Sequence, residues 1–247
     1  MKNNRETFLY LKSLKESGVK EVLVERKSAA KAKPAALPVK PALSDAAALK
    51  SEPVTAETQA ALKALREEAL KCMRCQELSS TRQNVVFGAG SENCKLMFVG
   101  EAPGRDEDKQ GLPFVGDAGK LLTQIIEAMG LKRDQVYIAN TLKCRPPKNR
   151  PPEPDEVANC RPFLEKQIEL INPAMICALG KHASQALLKT DIPISKLRGE
   201  FRDYPGPTSG GVRIPVMCTY HPAYLLRNPA EKRTVWEDMK KIMKALA

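Results

Sequence analysis

The 247-residue sequence is poor in long apolar runs, in histidine and in phosphate-binding glycine loops. No apolar run approaches the ~18 residues of a membrane-spanning helix, so no span is expected. The first residues are polar, so we expect no secretory signal peptide and a location in a bacterial or archaeal cytosol. The lack of a glycine-rich phosphate loop disfavours a nucleotide hydrolase. No internal repeat is present.

Positive charge, in contrast, is in excess. The chain has 40 Lys and Arg against 29 Asp and Glu, a net charge of +11. Such an excess favours a polyanionic partner, with nucleic acid as the default, and a basic surface that only keeps the protein soluble is the alternative. The seven cysteines of a cytosolic protein are more often metal ligands, nucleophiles or small core residues than disulfides.

Composition divides the chain into two parts. Residues 5–27 have a weak helical pattern, and residues 28–55 consist largely of Ala, Pro and Lys, which is typical of a semi-extended linker. We therefore predict an N-terminal extension at 1–57, which could tether a repair or replication partner, and a compact domain at 58–247. A monomer is expected.

Within 58–247, apolar runs alternate with helical patterns, which indicates a parallel sheet with helices on both faces. The predicted fold is a three-layer α/β/α sandwich with a small central parallel sheet of about four strands. Strands are predicted at 95–99, 136–139, 174–179 and 214–219, with a further short strand at 198–201. Helices are predicted at 58–71, 117–129 (with Asp117 as N-cap), 154–171, 181–189 and 229–246.

Three predicted strands end in polar residues: Glu101, Asn140 and His221. Parallel strands bring such ends to one edge of the sheet, where open α/β folds bind ligands. Taken singly, Asn140 is more typical of a turn and His221 of a loop or the core. Glu101 is harder to dismiss, because carboxylates rarely end a buried strand without a partner. His182 is interpreted as structural.

Four cysteines have a spacing that suits a metal site. Cys72 and Cys75 form a C-x-x-C motif at a helix end, and Cys144 and Cys160 complete a set of four. The spacing does not separate zinc from an iron–sulfur cluster, and a redox-active pair is the alternative. The other three are interpreted as small core residues: Cys94, Cys177 and Cys218.

Two further segments are candidates for contact with nucleic acid. Residues 145–150 set three positive charges among prolines and are interpreted as a rigid phosphate-contacting ridge, with a solvated loop as the alternative. Residues 222–227 follow His221 directly and are either a wedge that enters DNA or the packed start of a helix.

Three blocks of this sequence resemble family 4 uracil-DNA glycosylases. They are Gly-Glu-Ala-Pro-Gly at 100–104 with 107–108 and 111–122, Asn140 with 143–147 and 149–152, and His-Pro-Ala-Tyr-Leu-Leu-Arg at 221–227. The four-cysteine pattern also fits, and the resemblance covers 58–247. A related group that is trapped covalently on DNA has a basic, histidine-containing insertion, which is not seen here.

The resemblance implies a hydrolytic enzyme of base excision repair with a structural 4Fe-4S cluster. It acts on uracil in single- or double-stranded DNA and leaves an abasic site. The expected cluster ligands are Cys72, Cys75, Cys144 and Cys160.

The resemblance also implies roles for residues around the flipped base. Glu101 is expected to position or deprotonate water, and His221 to stabilise the leaving uracil. The expected substrate-binding residues are Gly100, Ala102, Gly104, Glu107, Phe114 and Asn140. In this set, Phe114 stacks on the base, Asn140 reads it, and Glu107 excludes the thymine methyl group.

The expected DNA-binding residues are Arg145, Lys148, Arg150, Tyr224, Leu225, Leu226 and Arg227. Two other functions stay open. One is a glycosylase of the same superfamily that removes another deaminated base, and the other is a non-catalytic, cluster-bearing nucleic-acid-binding protein.

Overall fold

A computed structural model of the protein describes residues 54–247. The helical pattern at 5–27 and most of the linker at 28–55 lie outside the described residues. The helices are α1 Ala56–Leu70, α2 Gln76–Thr81, α3 Arg105–Gln110, α4 Asp117–Ala128, α5 Pro154–Ile171, α6 Lys181–Leu188, α7 Ile194–Leu197, α8 Pro222–Arg227 and α9 Lys232–Leu246. The strands are β1 Ala89–Gly90, β2 Leu96–Gly100, β3 Tyr137–Asn140, β4 Met175–Leu179, β5 Phe201–Asp203 and β6 Pro215–Thr219.

The six strands form one mixed sheet in the order β1-β3-β2-β4-β6-β5. Strands β3, β2, β4 and β6 are parallel, as the alternation of strands and helices predicted, and each lies within one residue of its predicted bounds. The short strands β1 and β5 pair antiparallel at the two edges. The prediction of about four strands therefore describes the parallel centre of a larger sheet.

Each central strand is buried on both faces, because helices cover the two sides of the sheet. In β2, Met97 and Val99 pack toward α1, α5, α6 and α7, whereas Leu96 and Phe98 pack toward α4, α8 and α9. This alternation produces the three layers that the sequence predicted. Cys94, Cys177 and Cys218 are buried core residues, as expected. No helix within 54–247 has the length and apolar character of a membrane span.

Several local predictions need correction. Gly116, not Asp117, is the N-cap of α4. The segment after β2, where no helix was predicted, contains the six-residue helix α3. The last helix begins at Lys232, after a 3-10 turn at Pro229–Glu231.

Candidate active site

An open cleft of about 680 Å³ lies at the carboxyl edge of the parallel strands. Glu101, Asn140 and His221, which follow or end β2, β3 and β6, all line it. The predicted convergence of these three residues is therefore present in the fold. Of the other predicted site residues, the following also line the cleft: Ala102, Gly104, Glu107, Phe114, Arg145, Arg150, Tyr224 and Arg227.

The floor of the cleft depends on a close contact among three residues. Gly100 pairs with Asn140 in the parallel register of β2 and β3. A Cβ atom at Gly100 would lie 2.4 Å from Asn140 Oδ1 and 2.5 Å from Phe114 Cζ, so only glycine fits. Gly119 of α4 allows a still closer approach to the backbone of Phe114, whose φ is +53°.

Asn140 carries the clearest polar signal in the cleft. The residue is 1% exposed, and its Oδ1 atom has no hydrogen-bond donor among the described residues. An unpaired buried carbonyl oxygen is costly, so a binding site is the natural explanation for it.

His221 faces the ring of Phe114 at a centroid distance of 5.5 Å. Its Nδ1 atom accepts a hydrogen bond of 3.1 Å from the amide of Ala223, as the N-cap of α8. Burial, assisted by Arg227 and opposed by Glu107, lowers the pKa of His221 to about 4. The imidazole is therefore neutral near pH 7, and its one proton is on Nε2.

Glu101 lies at the start of the loop after β2 and is partly buried. Burial raises the pKa of its carboxyl group, and the charge of His182 lowers it. His182 was interpreted as structural, but it lies near enough to influence this carboxylate from the first turn of α6. The sequence did not indicate that His182 lies near Glu101, because the two residues belong to different strand–helix units.

Glu107 organises the loop that surrounds the cleft. Its carboxylate accepts hydrogen bonds from the amides of Gly104 (3.1 Å), Val115 (2.9 Å) and Gly116 (2.9 Å). These contacts join the start of α3 to the turn that presents Phe114. Glu107 therefore presents a fixed surface to the cleft.

Several arginines line the rim of the cleft, together with acidic residues such as Asp106 and Asp117. Arg105 and Asn149 line it beside the predicted Arg145, and neither was identified from the sequence. Arg105 directly follows Gly104, a predicted site residue, and this position in the sequence could have identified it as a residue of the cleft. Arg145 Nε donates to Asn149 Oδ1 at 2.7 Å, which orients both side chains. Lys148 is exposed nearby but does not line the cleft.

The structure contradicts one predicted DNA contact, Leu225. Leu225 is 1% exposed and packs in the core, whereas Tyr224 and Leu226 are 36% and 47% exposed. Helical spacing explains the difference, because α8 turns Leu225 inward and its two neighbours outward. Leu225 therefore cannot be part of a wedge.

Arg150, another predicted DNA contact, forms ion pairs with two acidic residues. Its guanidinium donates to both carboxylate oxygens of Glu156, at 2.6 and 2.9 Å, and to Glu77 at 2.6 Å. It therefore links the proline-rich loop to α5 and α2, while its side chain, 27% exposed, still lines the cleft, so the phosphate contact of Arg150 stays a prediction. Glu156 lies six positions after Arg150 and Glu77 lies 73 positions before it, and the sequence pattern did not indicate either pairing.

Cys72, Cys75, Cys144 and Cys160 line one small cavity beside the cleft. All four are free thiols. Burial raises the pKa of Cys75, Cys144 and Cys160, in the last case to about 11. Within 54–247, no three His, Cys, Asp or Glu side chains form a ready-made site for a single metal ion.

The sulfur atoms also accept hydrogen bonds. Arg82 donates to Cys144 Sγ at 3.1 Å, the amide of Lys143 to Cys160 Sγ at 3.2 Å, and Asn159 Nδ2 to Cys75 Sγ at 3.6 Å. N–H donors directed at cysteine sulfur suit thiolates that bind a metal cluster, since they offset negative charge and tune the cluster. The donor set therefore fits an iron–sulfur group.

Comparison with known proteins places this cleft in a family. The model of the uracil DNA glycosylase superfamily matches residues 87–240. A type-4 uracil-DNA glycosylase of Sulfurisphaera tokodaii is 46% identical over 186 residues, which cover 73% of this chain and 83% of the relative. The Thermotoga maritima type-4 enzyme is 46% identical over 178 residues, or 71% of this chain and 89% of that protein.

A type-5 uracil-DNA glycosylase of Pyrobaculum aerophilum is more distant, with 31% identity over 186 residues, 63% of this chain and 80% of the relative. The superfamily match spans more than half of the chain, and identity is higher to the type-4 relatives. The chain therefore belongs to the type-4 family of the uracil-DNA glycosylase superfamily.

Proposed function

We propose that the protein removes uracil from DNA by hydrolysing the N-glycosidic bond, which leaves an abasic site for base excision repair. The observation that carries this proposal is the buried, unpaired Oδ1 atom of Asn140 in a cleft with a neutral histidine and a carboxylate. The names of the type-4 relatives and the positive net charge support it.

Asn140 has the donor and acceptor that uracil requires. Its Oδ1 atom would accept from uracil N3–H, and Nδ2 would donate to O4. Cytosine presents the opposite pattern at these positions, so it would leave buried polar groups unpaired, which is a strong basis for discrimination. Phe114 would stack on the pyrimidine face above the close contact at Gly100.

His221 would donate a hydrogen bond from Nε2 to O2 of the base. When the C1′–N1 bond breaks, its electron pair stays on the uracil, and the negative charge spreads to O2. A neutral, fixed donor at this point acts like an oxyanion hole and is worth about 10²–10³ in rate. The contact from Ala223 to Nδ1 keeps the donor proton on Nε2.

Glu101 would handle water and the positive charge on the sugar. The oxygen of water forms the new bond to C1′, and a water proton passes to the carboxylate as general base. The carboxylate also stabilises the cationic sugar electrostatically. The next residue, Ala102, has no side chain that can take up a proton or carry a charge. The role is therefore assigned to Glu101.

The turn beside the base would exclude thymine. Glu107 is held by three amides, so it can oppose the 5-methyl group sterically without being pushed aside. Gly104 and Ala102 have little or no side chain, which lets the backbone approach the base.

A base inside a duplex is out of reach, so the nucleotide must be flipped into the cleft. Tyr224 and Leu226 are exposed on α8 and would fill the gap left in the stack. Arg145, Lys148 and Arg227 would contact phosphates, and Arg105, which also lines the cleft, would extend this surface.

The four cysteines would hold a 4Fe-4S cluster, with Cys72 and Cys75 after α1, Cys144 after β3 and Cys160 in α5. When bound, the cluster supplies a covalent cross-link among these elements. Arg82, Asn159 and the amide of Lys143 would orient the sulfur atoms.

The test is excision from a single-stranded oligonucleotide that contains one uracil, followed by alkaline cleavage of abasic sites. The full chain should cut at uracil and leave matched cytosine and thymine strands intact, while a hypoxanthine strand tests the alternative base. His221→Gln and Glu101→Gln should bind the uracil strand but excise it at least about 100-fold more slowly. Binding without any cleavage by the unaltered chain would instead indicate a non-catalytic binder. A colourless protein with zinc but no iron would overturn the cofactor assignment.

A further inference from the structure

Lys143 is a buried lysine that the proposed reaction does not use. It is 2% exposed and lies in the five-residue segment that runs from Asn140 to Cys144. One end of this segment carries the proposed base-reading amide, and the other carries a proposed cluster ligand. A buried lysine needs partners for its ammonium group, and its partners indicate its role.

The side chain of Lys143 turns back toward the cleft. Its Nζ atom donates to the backbone carbonyl of Asn140 at 2.9 Å and to Gln167 Oε1 at 2.5 Å. Gln167 of α5 is itself fixed, because its Nε2 atom donates to the carbonyl of Phe87 and to the hydroxyl of Tyr137. The ammonium group therefore holds the end of β3 against a rigid support.

The main chain of the same residue reaches the cysteines. The Lys143 amide donates to Cys160 Sγ at 3.2 Å. Between the two contacts, the amides of Thr141 and Leu142 donate to the carbonyls of Gly100 and Glu101, at 2.9 and 3.0 Å. One short segment thus links the cysteine cavity to Asn140 and to the backbone of Glu101.

We propose that Lys143 is a positioning residue that couples the cysteine cavity to the base-reading site by holding the backbone of Asn140. The proposal rests on the proposed uracil excision. It explains why a side chain that touches neither the cleft nor a sulfur atom is buried between them. A purely structural lysine would stabilise the whole domain without a selective effect on the flipped base.

The test compares Lys143→Met, which keeps length but removes the donor, with Lys143→Gln, which retains an N–H donor. Lys95→Met, an exposed lysine just before the amino end of β2, is the matched control. Each full-length protein is measured for iron per chain, single-turnover uracil excision, affinity for DNA with a non-cleavable 2′-fluoro-deoxyuridine, and affinity for DNA with a tetrahydrofuran abasic analogue.

Lys143→Met should lower excision roughly 10- to 100-fold, the loss expected for one hydrogen bond from a charged donor, and should lower affinity for the 2′-fluoro substrate. Lys143→Gln should recover part of both. Iron content and affinity for the abasic analogue, which has no base to read, should stay within about twofold of the unaltered protein, as should every property of Lys95→Met.

The proposal is overturned if Lys143→Met excises uracil at the normal rate. It is also overturned if iron, abasic affinity and excision fall together, or if both Lys143 variants fail to fold, because the role is then structural. Failure of the unaltered protein to excise uracil would refute the proposed function instead, so the two failures are distinguishable.

Discussion

His221 should remain a neutral imidazole down to about pH 5, with its proton on Nε2. The ring packs 5.5 Å from Phe114, and its Nδ1 atom accepts from the Ala223 amide. Burial is the main reason that its pKa falls to about 4, with Arg227 adding to the fall and Glu107 opposing it. The proposed role at O2 of uracil depends on this state.

The shift has a consequence for stability. The pKa of His221 is 6.5 in the unfolded chain and about 4 in the folded protein. As the pH falls below 6.5, the imidazole of His221 becomes protonated in the unfolded chain but stays neutral in the folded protein. The free energy of unfolding should therefore decrease by up to about 3 kcal/mol between pH 6.5 and 4, and His221 should contribute nothing to the pH dependence above pH 7.

Glu101 contributes the opposite slope, because its pKa is raised by burial in the folded state. Denaturant unfolding of the unaltered protein and of His221→Gln, each from pH 4 to 8, isolates the histidine term. The difference between the two curves should grow as the pH falls and be flat above pH 7.

NMR measures the protonation state directly. The chain has two histidines, so His182→Asn leaves a single imidazole. Proton–nitrogen correlation spectra across a pH titration should give a midpoint below pH 5 and the Nε2–H tautomer. A midpoint near 6.5, or a proton on Nδ1, would refute the assignment of His221 as a neutral donor.

Two other predictions compare nearby residues for which the sequence analysis predicted the same role, contact with DNA. Leu225→Ala should lower the free energy of unfolding by about 2–5 kcal/mol, because it leaves a cavity in the core. Leu226→Ala should change it by less than about 0.5 kcal/mol yet weaken binding to uracil-containing DNA in fluorescence anisotropy, and equal destabilisation by both would contradict this. Arg150→Ala should release iron faster in the presence of a chelator, because it removes the link to Glu77 and Glu156. Lys148→Ala should retain iron but reduce the slope of log Kd against log salt by about 1, and the reverse pattern would show that Arg150 is the phosphate contact.

The central strands could be predicted because burial on both faces leaves continuous apolar runs, such as the one in β2. The edge strands could be predicted less well, because nothing indicated β1 and the short strand predicted at 198–201 shares only Phe201 with β5. β1 has two residues, and β5 is partly exposed, so neither has an apolar pattern. Their pairing is imposed by the neighbouring strand and not by their own residues.

The residues of the candidate site likewise fall into those that the sequence could predict and those that it could not. Glu101, Asn140 and His221 could be placed together because parallel strands must end at one edge. The charge of Arg150 and the apolar character of Leu225 were visible, but their partners were not. Arg150 meets Glu77 across 73 positions of sequence, and no local pattern reports such a contact.

The sequence by itself determined the layers, the order of the central elements and the residues delivered to the edge of the sheet, because these follow from local periodicity and strand direction. Tertiary structure alone decided which atoms are left unpaired, which charges are neutralised and which apolar side chains face inward. The unpaired oxygen of Asn140 and the lysine that holds its backbone are both of this kind. Both features depend on contacts between segments that are distant in sequence. Only the folded structure shows which polar atoms find a hydrogen-bond partner in such contacts.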